Sequence, residues 1–185
     1  MEALWVSIGL VTLAEIGDKT QLLSLLLAAR YRRPVPIIFG ILVATAVNHA
    51  LAAALGSWIT GAVGPQALRW VLGLSFIGMA AWMMVPDRLE AMAGGVERFG
   101  VLGTTLVAFF LAEMGDKTQV ATVALAAKYS SYAAVVSGTT AGMMIANVPA
   151  VLLGERVARF VPVRLVHLIA AAIFAAMGIV ALVGG

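Results

Sequence analysis

Long runs of apolar residues, separated by short polar or Pro/Gly-rich segments, make up nearly the whole of this 185-residue chain. Each run is long enough to cross roughly 30 Å of hydrocarbon as a helix rising about 1.5 Å per residue. The pattern therefore predicts an all-α, polytopic membrane protein. Its six transmembrane helices are expected over residues 4–29, 35–58, 67–85, 101–127, 132–153 and 163–183.

The composition agrees with this pattern. Hydrophobic residues make up 62% of the chain and charged residues only 11%, which is far from the balance of a soluble domain. The net charge of +3 does not indicate nucleic-acid binding, because the basic residues form short clusters between apolar runs. The N-terminal "MEALWV" lacks the basic segment of a signal peptide, so we expect the first run to be retained.

The distribution of Lys and Arg predicts the orientation. Of the 12 basic residues, Lys19 and Lys117 lie in the middle of apolar runs, and the other ten lie in the loops or at the ends of runs. The loops after the first, third and fifth runs carry eight of these, and the opposite side carries only Arg69 and Lys128. We therefore expect a multi-pass protein of the cell inner (plasma) membrane with both termini on the non-cytoplasmic side. The eight are Arg30, Arg32, Arg33, Arg88, Arg98, Arg156, Arg159 and Arg164.

An internal repeat relates the two halves of the chain. Residues 13–31 and 111–129, at an offset of 98, share 12 identities in 19 positions. The repeat predicts a three-helix unit over 1–85, a short cytoplasmic linker over 86–100 and a second unit over 101–185. Because three is an odd number of spans, the second unit must enter the membrane from the opposite side, as in the inverted repeats of many secondary transporters.

The two copies of the repeat are most alike in a polar segment. "LAEIGDKTQ" begins at Leu13 and "LAEMGDKTQ" at Leu111, and both fall near the middle of a predicted span. Each charged side chain at that depth costs at least about 2.5 to 3.5 kcal/mol, so a functional site is expected. Four carboxylates and two lysines leave a net charge of minus two, which one divalent cation or two protons would balance. The carboxylates are Glu15, Asp18, Glu113 and Asp116, and the lysines are Lys19 and Lys117.

Oxygen-rich ligands of this kind suit Ca²⁺, Mn²⁺ or Mg²⁺. Side-chain oxygens of Thr20, Thr118, Gln21 and Gln119 are expected to complete the ligand set. Asn48, His49 and Asn147 lie in the second and fifth spans, where they fit either a supporting role at the site or ordinary helix contacts. His167 is expected to be an interfacial anchor. Gly17 and Gly115 fit either a local unwinding of the helix or close helix packing.

These residues favour a secondary transporter that exchanges Mn²⁺ and/or Ca²⁺ for protons by alternating access at a midplane acidic site, and Mn²⁺ export is the expected direction. The alternatives are a passive divalent-cation channel and a non-transporting membrane assembly protein held by internal salt bridges. An enzyme is not expected, because the sequence lacks a nucleophile paired with a base and a helix face of His ligands. We expect no resident cofactor, since the divalent cation and protons are substrates. The sequence leaves open whether the protein forms a homo-oligomer.

The doubled E-x-G-D-K-T motif in a six-span chain resembles the Gdt-type calcium/manganese:proton antiporters of the lysine-exporter superfamily. The resemblance covers the whole chain. It implies that Glu15, Asp18, Glu113 and Asp116 form the cation and proton site, with the adjacent Lys and Thr residues completing each motif. Because members of this family are associated with both Mn²⁺ and Ca²⁺, the resemblance does not choose between these ions.

Overall fold

The computed structural model describes residues 1–85, 99–154 and 162–184. Within these ranges all regular structure is helical, which confirms the predicted all-α class. Nearly all of the predicted linker lies outside the described residues, as do Arg88, Arg98, Arg156 and Arg159. The helices are α1 (Glu2–Glu15), α2 (Lys19–Tyr31), α3 (Pro34–Ala62), α4 (Pro65–Trp82), α5 (Gly100–Glu113), α6 (Lys117–Tyr129), α7 (Tyr132–Leu153) and α8 (Val163–Val183).

Three of these helices, α3, α7 and α8, are long and apolar enough to cross a membrane without interruption. They correspond to the predicted runs 35–58, 132–153 and 163–183. The helix α5 is also apolar but has only 14 residues, which is short of the roughly 20 that a span needs. The described part of the chain therefore has the apolar helices of a multi-pass membrane protein.

The first and fourth predicted runs are not single helices. Each is divided in the middle of its motif, between α1 and α2 and between α5 and α6. Gly17 and Gly115 cause the division by adopting φ values of +82° and +74°, a left-handed conformation that favours glycine. The following residues, Asp18 and Asp116, have extended backbone and precede the next helix. Of the two interpretations of these glycines, local unwinding is confirmed at both.

Equivalent contacts recur in the two halves at the offset of 98. A Cβ atom added to Gly40 of α3 would lie 2.8 Å from Cβ of Thr105 in α5. A Cβ atom added to Gly138 of α7 would lie 2.7 Å from Cβ of Ser7 in α1. Since both pairs differ by 98, α3 packs on α5 in the same way that α7 packs on α1.

The helices α4 and α8 pack against each other. Phe76 and Phe174 are fully buried between them and stack with ring centroids 6.2 Å apart. These two residues are also separated by 98 positions, so each phenylalanine contacts its own counterpart. Aromatic pairs of this kind contribute on the order of 0.5 to 1.5 kcal/mol beyond their buried area.

Candidate functional site

The two helix breaks bring four carboxylates into the interior of the bundle. Glu15 and Glu113 end α1 and α5, and Asp18 and Asp116 immediately precede α2 and α6. None of the four side chains is more than 2% exposed. Glu15 lies within electrostatic range of the other three, including both acids of the second motif. The fold thus places the two repeated motifs beside each other.

The two glutamates have different surroundings although their motifs are nearly identical. Oε2 of Glu113 accepts a 2.9 Å hydrogen bond from the hydroxyl of Thr118 and lies 3.9 Å from Nε2 of His49. In the described residues no hydrogen bond of ordinary geometry reaches either carboxylate oxygen of Glu15, although the amide of Asn147 lies beside it. An unsatisfied carboxylate in a protein interior is costly, so Glu15 needs an explanation outside simple packing.

The lysines of both motifs make polar contacts inside the protein. Nζ of Lys19 lies 2.9 Å from Oδ1 of Asp116, so the ammonium group of the first motif forms an ion pair with a carboxylate of the second motif. Nζ of Lys117 donates a 3.0 Å hydrogen bond to the carbonyl of Val85. An internal salt bridge of the kind considered from the sequence is therefore present at Lys19, and it joins the two halves of the protein.

The repeated glutamines stabilise the breaks. Oε1 of Gln21 accepts a 2.9 Å hydrogen bond from the amide of Gly17, and Oε1 of Gln119 accepts one of 2.7 Å from Gly115. Their Nε2 atoms donate to the carbonyl of Ala146 at 3.1 Å and to Oδ1 of Asn48. In this conformation each glutamine links an unwound segment to a helix of the other half, and its expected role as a cation ligand stays a prediction.

Residues of α8 cover the first break, a role that the sequence did not reveal. A Cβ atom added to Gly17 would collide with the side chain of Val163, and Nε2 of His167 donates a 2.8 Å hydrogen bond to the carbonyl of Ile16. His167 therefore holds an unwound backbone segment as well as lying at the start of its helix. At Gly115 an added Cβ would meet no atom of residues 1–85, 99–154 or 162–184 within 4 Å, so none of these residues covers the second break as Val163 covers the first.

The remaining predicted residues are buried around these acids. Asn147 accepts a 2.7 Å hydrogen bond from Ser24 and donates one of 3.1 Å to the carbonyl of Met143. The hydroxyl of Thr20 and both ring nitrogens of His49 are buried without a hydrogen-bond partner in the described residues. Of the polar residues in the second and fifth spans, His49 therefore lies next to Glu113 and Asn147 next to Glu15, while Asn48 contacts Gln119.

The described residues contain no group of three or more acidic, His or Cys side chains already arranged to hold a metal ion. Among the carboxylates, Asp116 is paired with Lys19, and Glu113 accepts a hydrogen bond from Thr118. Joint ligation by the four motif acids and the neighbouring Thr and Gln residues stays a prediction.

Comparison with known proteins identifies the family. The family model described as "Divalent cation/proton antiporter GDT1" matches residues 3–91 and 101–185, which is nearly the whole chain. The chain belongs to this GDT1 family. Its membership supports cation transport by a multi-pass membrane protein, and a transporter is not an enzyme in the catalytic sense. The resemblance inferred from the doubled motif is thereby confirmed.

Among the relatives of this GDT1 family member is a protein of Vibrio cholerae serotype O1 named "Putative manganese exporter". It is 48% identical over 180 residues, covering 97% of this chain and 90% of the relative. A GDT1-like protein of Synechocystis is 29% identical, with 89% of each chain covered. A chloroplastic GDT1-like protein of rice (Oryza sativa subsp. indica) is also 29% identical, over 94% of this chain and 60% of the relative. No solved structure matches the chain.

Proposed function

We propose that the protein is a secondary transporter that exchanges Mn²⁺ for protons and exports Mn²⁺ from the cytoplasm. Its architecture in this proposal is six spans arranged as two inverted three-helix repeats, 1–85 and 101–185, joined by the linker 86–100. The three uninterrupted apolar helices, the two broken ones and the contacts repeated at an offset of 98 support this arrangement. In transporters with inverted repeats, substrates bind near the midplane where such broken helices meet.

One observation carries the proposal: Glu15 is a buried carboxylate without a hydrogen bond of ordinary geometry in the described residues, and it faces both acids of the second motif. Charges that repel one another in a poorly solvated place need protons or a cation for balance. If a divalent cation and protons occupy the same carboxylates in turn, binding of one expels the other. This competition is the basis of exchange transport.

In this exchange cycle we propose that Lys19 competes with the transported cation for Asp116. Its ammonium group neutralises Asp116 when no cation is bound, and an arriving Mn²⁺ displaces it from the carboxylate. We propose that the site then opens alternately to the two sides as the repeats rock against each other. The ligands in this proposal are Glu15, Asp18, Glu113 and Asp116, assisted by Thr20, Thr118, Gln21 and Gln119.

The name of the Vibrio relative supports Mn²⁺ as the exported ion, with Ca²⁺ as a second candidate within the family's divalent-cation range. The Arg-rich loops support a cell inner membrane location with both termini outside the cytoplasm. Some plant relatives are named as chloroplastic, so the family is not restricted to one membrane.

Purified protein in liposomes tests this function. A dye trapped inside reports Mn²⁺ entry after a pH gradient is imposed across the membrane. We expect uptake that depends on the gradient, and an apparent Mn²⁺ affinity that falls as the pH is lowered from 8 to about 5.5, because protons compete for the carboxylates. Glu15→Gln, Asp18→Asn and Asp116→Asn should each abolish uptake while the protein remains folded.

Glu2→Gln is the matched control, because Glu2 is an exposed acid that accepts a hydrogen bond from Tyr129 at the surface. It should transport like the wild type. Uptake that ignores the proton gradient would instead indicate a passive channel. Absence of flux in the wild type, with Glu15→Gln indistinguishable from it, would indicate a membrane assembly protein.

A further inference from the structure

The two halves carry different polar side chains at a buried position that the repeat makes equivalent. His49 in α3 and Asn147 in α7 are separated by 98 residues, and each lies beside the glutamate of the opposite motif. Neither side chain is exposed. Because the surrounding helices correspond, His49 and Asn147 are two different side chains in related environments.

Asn147 is fully engaged by its neighbours. Its Oδ1 accepts a hydrogen bond from Ser24, and its Nδ2 donates to the carbonyl of Met143. The equivalent of Ser24 in the second half is Thr122, but its hydroxyl donates a 2.7 Å hydrogen bond to the carbonyl of Thr118 instead. The group that holds Asn147 in one half is therefore turned away from His49 in the other.

His49 consequently has no hydrogen bond at either ring nitrogen within the described residues. One helical turn earlier on the same face of α3, the hydroxyl of Thr45 is also buried without a partner. A buried imidazole that only filled space would be replaced at little cost by an apolar side chain, because it makes no polar contact to lose. Its chemistry is thus unused in the conformation described.

The position of the His49 imidazole relative to Glu113 suits it to binding a cation. Nε2 of His49 lies 3.9 Å from Oε2 of Glu113, too far for a hydrogen bond. Two metal–ligand bonds of about 2.0 to 2.2 Å each reach across such a gap, so one cation fits between the two atoms. The surroundings of Glu113 can therefore offer a nitrogen ligand and a carboxylate, whereas those of Glu15 offer a carboxylate next to an amide that is already bonded.

We propose that His49 is a nitrogen ligand of the transported cation and makes the site prefer a transition-metal ion such as Mn²⁺ over Ca²⁺. Imidazole binds first-row transition metals, while Ca²⁺ takes oxygen ligands almost exclusively. The proposal rests on the transport function proposed above and adds a specificity determinant outside both repeated motifs.

Pulsed electron paramagnetic resonance of Mn²⁺ bound to the purified protein tests the ligand directly. The sequence contains two histidines, His49 and His167, and Nε2 of His167 already donates to the carbonyl of Ile16. We expect imidazole ¹⁴N modulation in the wild type and in His167→Gln, and its loss in His49→Asn. Mn²⁺ that binds the wild type without ¹⁴N modulation, or modulation that persists in His49→Asn, would overturn the proposal.

Competition in liposomes tests selectivity. His49→Asn gives the first-half position the side chain of its second-half equivalent, Asn147, so the variant should still bind a divalent cation. We expect the Ca²⁺ concentration that halves Mn²⁺ uptake to fall roughly tenfold or more in this variant. An unchanged ratio would refute the selectivity role, whereas a wild type without proton-driven uptake would refute the proposed function instead. His49→Gln, checked for folding by its thermal midpoint, serves if His49→Asn does not fold.

Discussion

The ammonium group of Lys19 lies 2.9 Å from the carboxylate of Asp116, which joins the first repeated motif to the second. Asp116 is 2% exposed and Lys19 is 25% exposed, so the pair is only partly accessible to water. Removal of one partner leaves the other charge inside the bundle. This ion pair couples the two halves of the protein both structurally and, in our proposal, through the site that both halves share.

Lys19→Gln should therefore destabilise the folded protein by roughly 1 to 3 kcal/mol, below the cost of a fully buried pair because Lys19 is partly solvated. Thermal unfolding in detergent measures the loss. The double variant Lys19→Gln/Asp116→Asn should recover part of it, because neither residue of this pair then carries a charge. Effects of the two substitutions that simply add would contradict a direct interaction.

Gly17→Ala should destabilise the protein more than Gly115→Ala. Both glycines have positive φ, and alanine there costs on the order of 1 to 2 kcal/mol. At Gly17 the new methyl group would also collide with Val163, whereas at Gly115 it would meet none of the residues that the structure describes. Thermal midpoints of the two variants, measured in the same detergent, give the comparison.

A second substitution separates the two causes. Val163→Ala in the Gly17→Ala background should restore part of the lost stability, since it removes the colliding side chain but not the backbone strain. The same change in the Gly115→Ala background should give no recovery. Equal thermal midpoints for the two glycine variants would show that α8 does not cover the first break.

The sequence revealed the motif residues because their charges are costly within an apolar run and because they occur twice. It left the role of Gly17 open, since glycine permits both unwinding and close packing, and only the backbone conformation distinguishes these. The contact of Val163 with Gly17 depends on packing between residues far apart in the chain, which no local pattern reports. For the same reason His167 was interpreted only as an anchor.

The two motifs are nearly identical in sequence, but their side chains have different surroundings in the structure. Lys19 pairs with Asp116, and Thr118 donates to Glu113, while the hydroxyl of Thr20 has no partner in the described residues. A sequence repeat predicts equivalent positions, but the contacts at those positions depend on the surrounding helices. The difference between His49 and Asn147 was visible in the sequence, although its consequence for hydrogen bonding was not.

Thr118→Val and Thr20→Val form a matched pair that tests this difference. Loss of the Thr118 hydroxyl removes the 2.9 Å hydrogen bond to Glu113 and should cost roughly 1 to 3 kcal/mol of folding free energy. Thr20→Val should be neutral or slightly stabilising, because its hydroxyl is buried without a partner in the described residues. Thermal unfolding of both variants checks the order, and a larger loss for Thr20→Val would contradict it.

Glu15→Gln should abolish transport without destabilising the bundle. The substitution nearly preserves the side-chain volume and removes a charge that is fully buried, lacks an ordinary hydrogen bond in the described residues and faces three other carboxylates. Scaffold residues do not behave in this way, because their loss lowers stability. A residue whose charge opposes folding but is required for activity belongs to a functional site.

For Glu15→Gln we therefore expect a thermal midpoint equal to or higher than that of the wild type. We also expect Mn²⁺ uptake no greater than that of liposomes without protein. A variant that unfolds several degrees earlier than the wild type would show that the Glu15 charge stabilises the bundle, and a variant with normal uptake would exclude Glu15 from the exchange site.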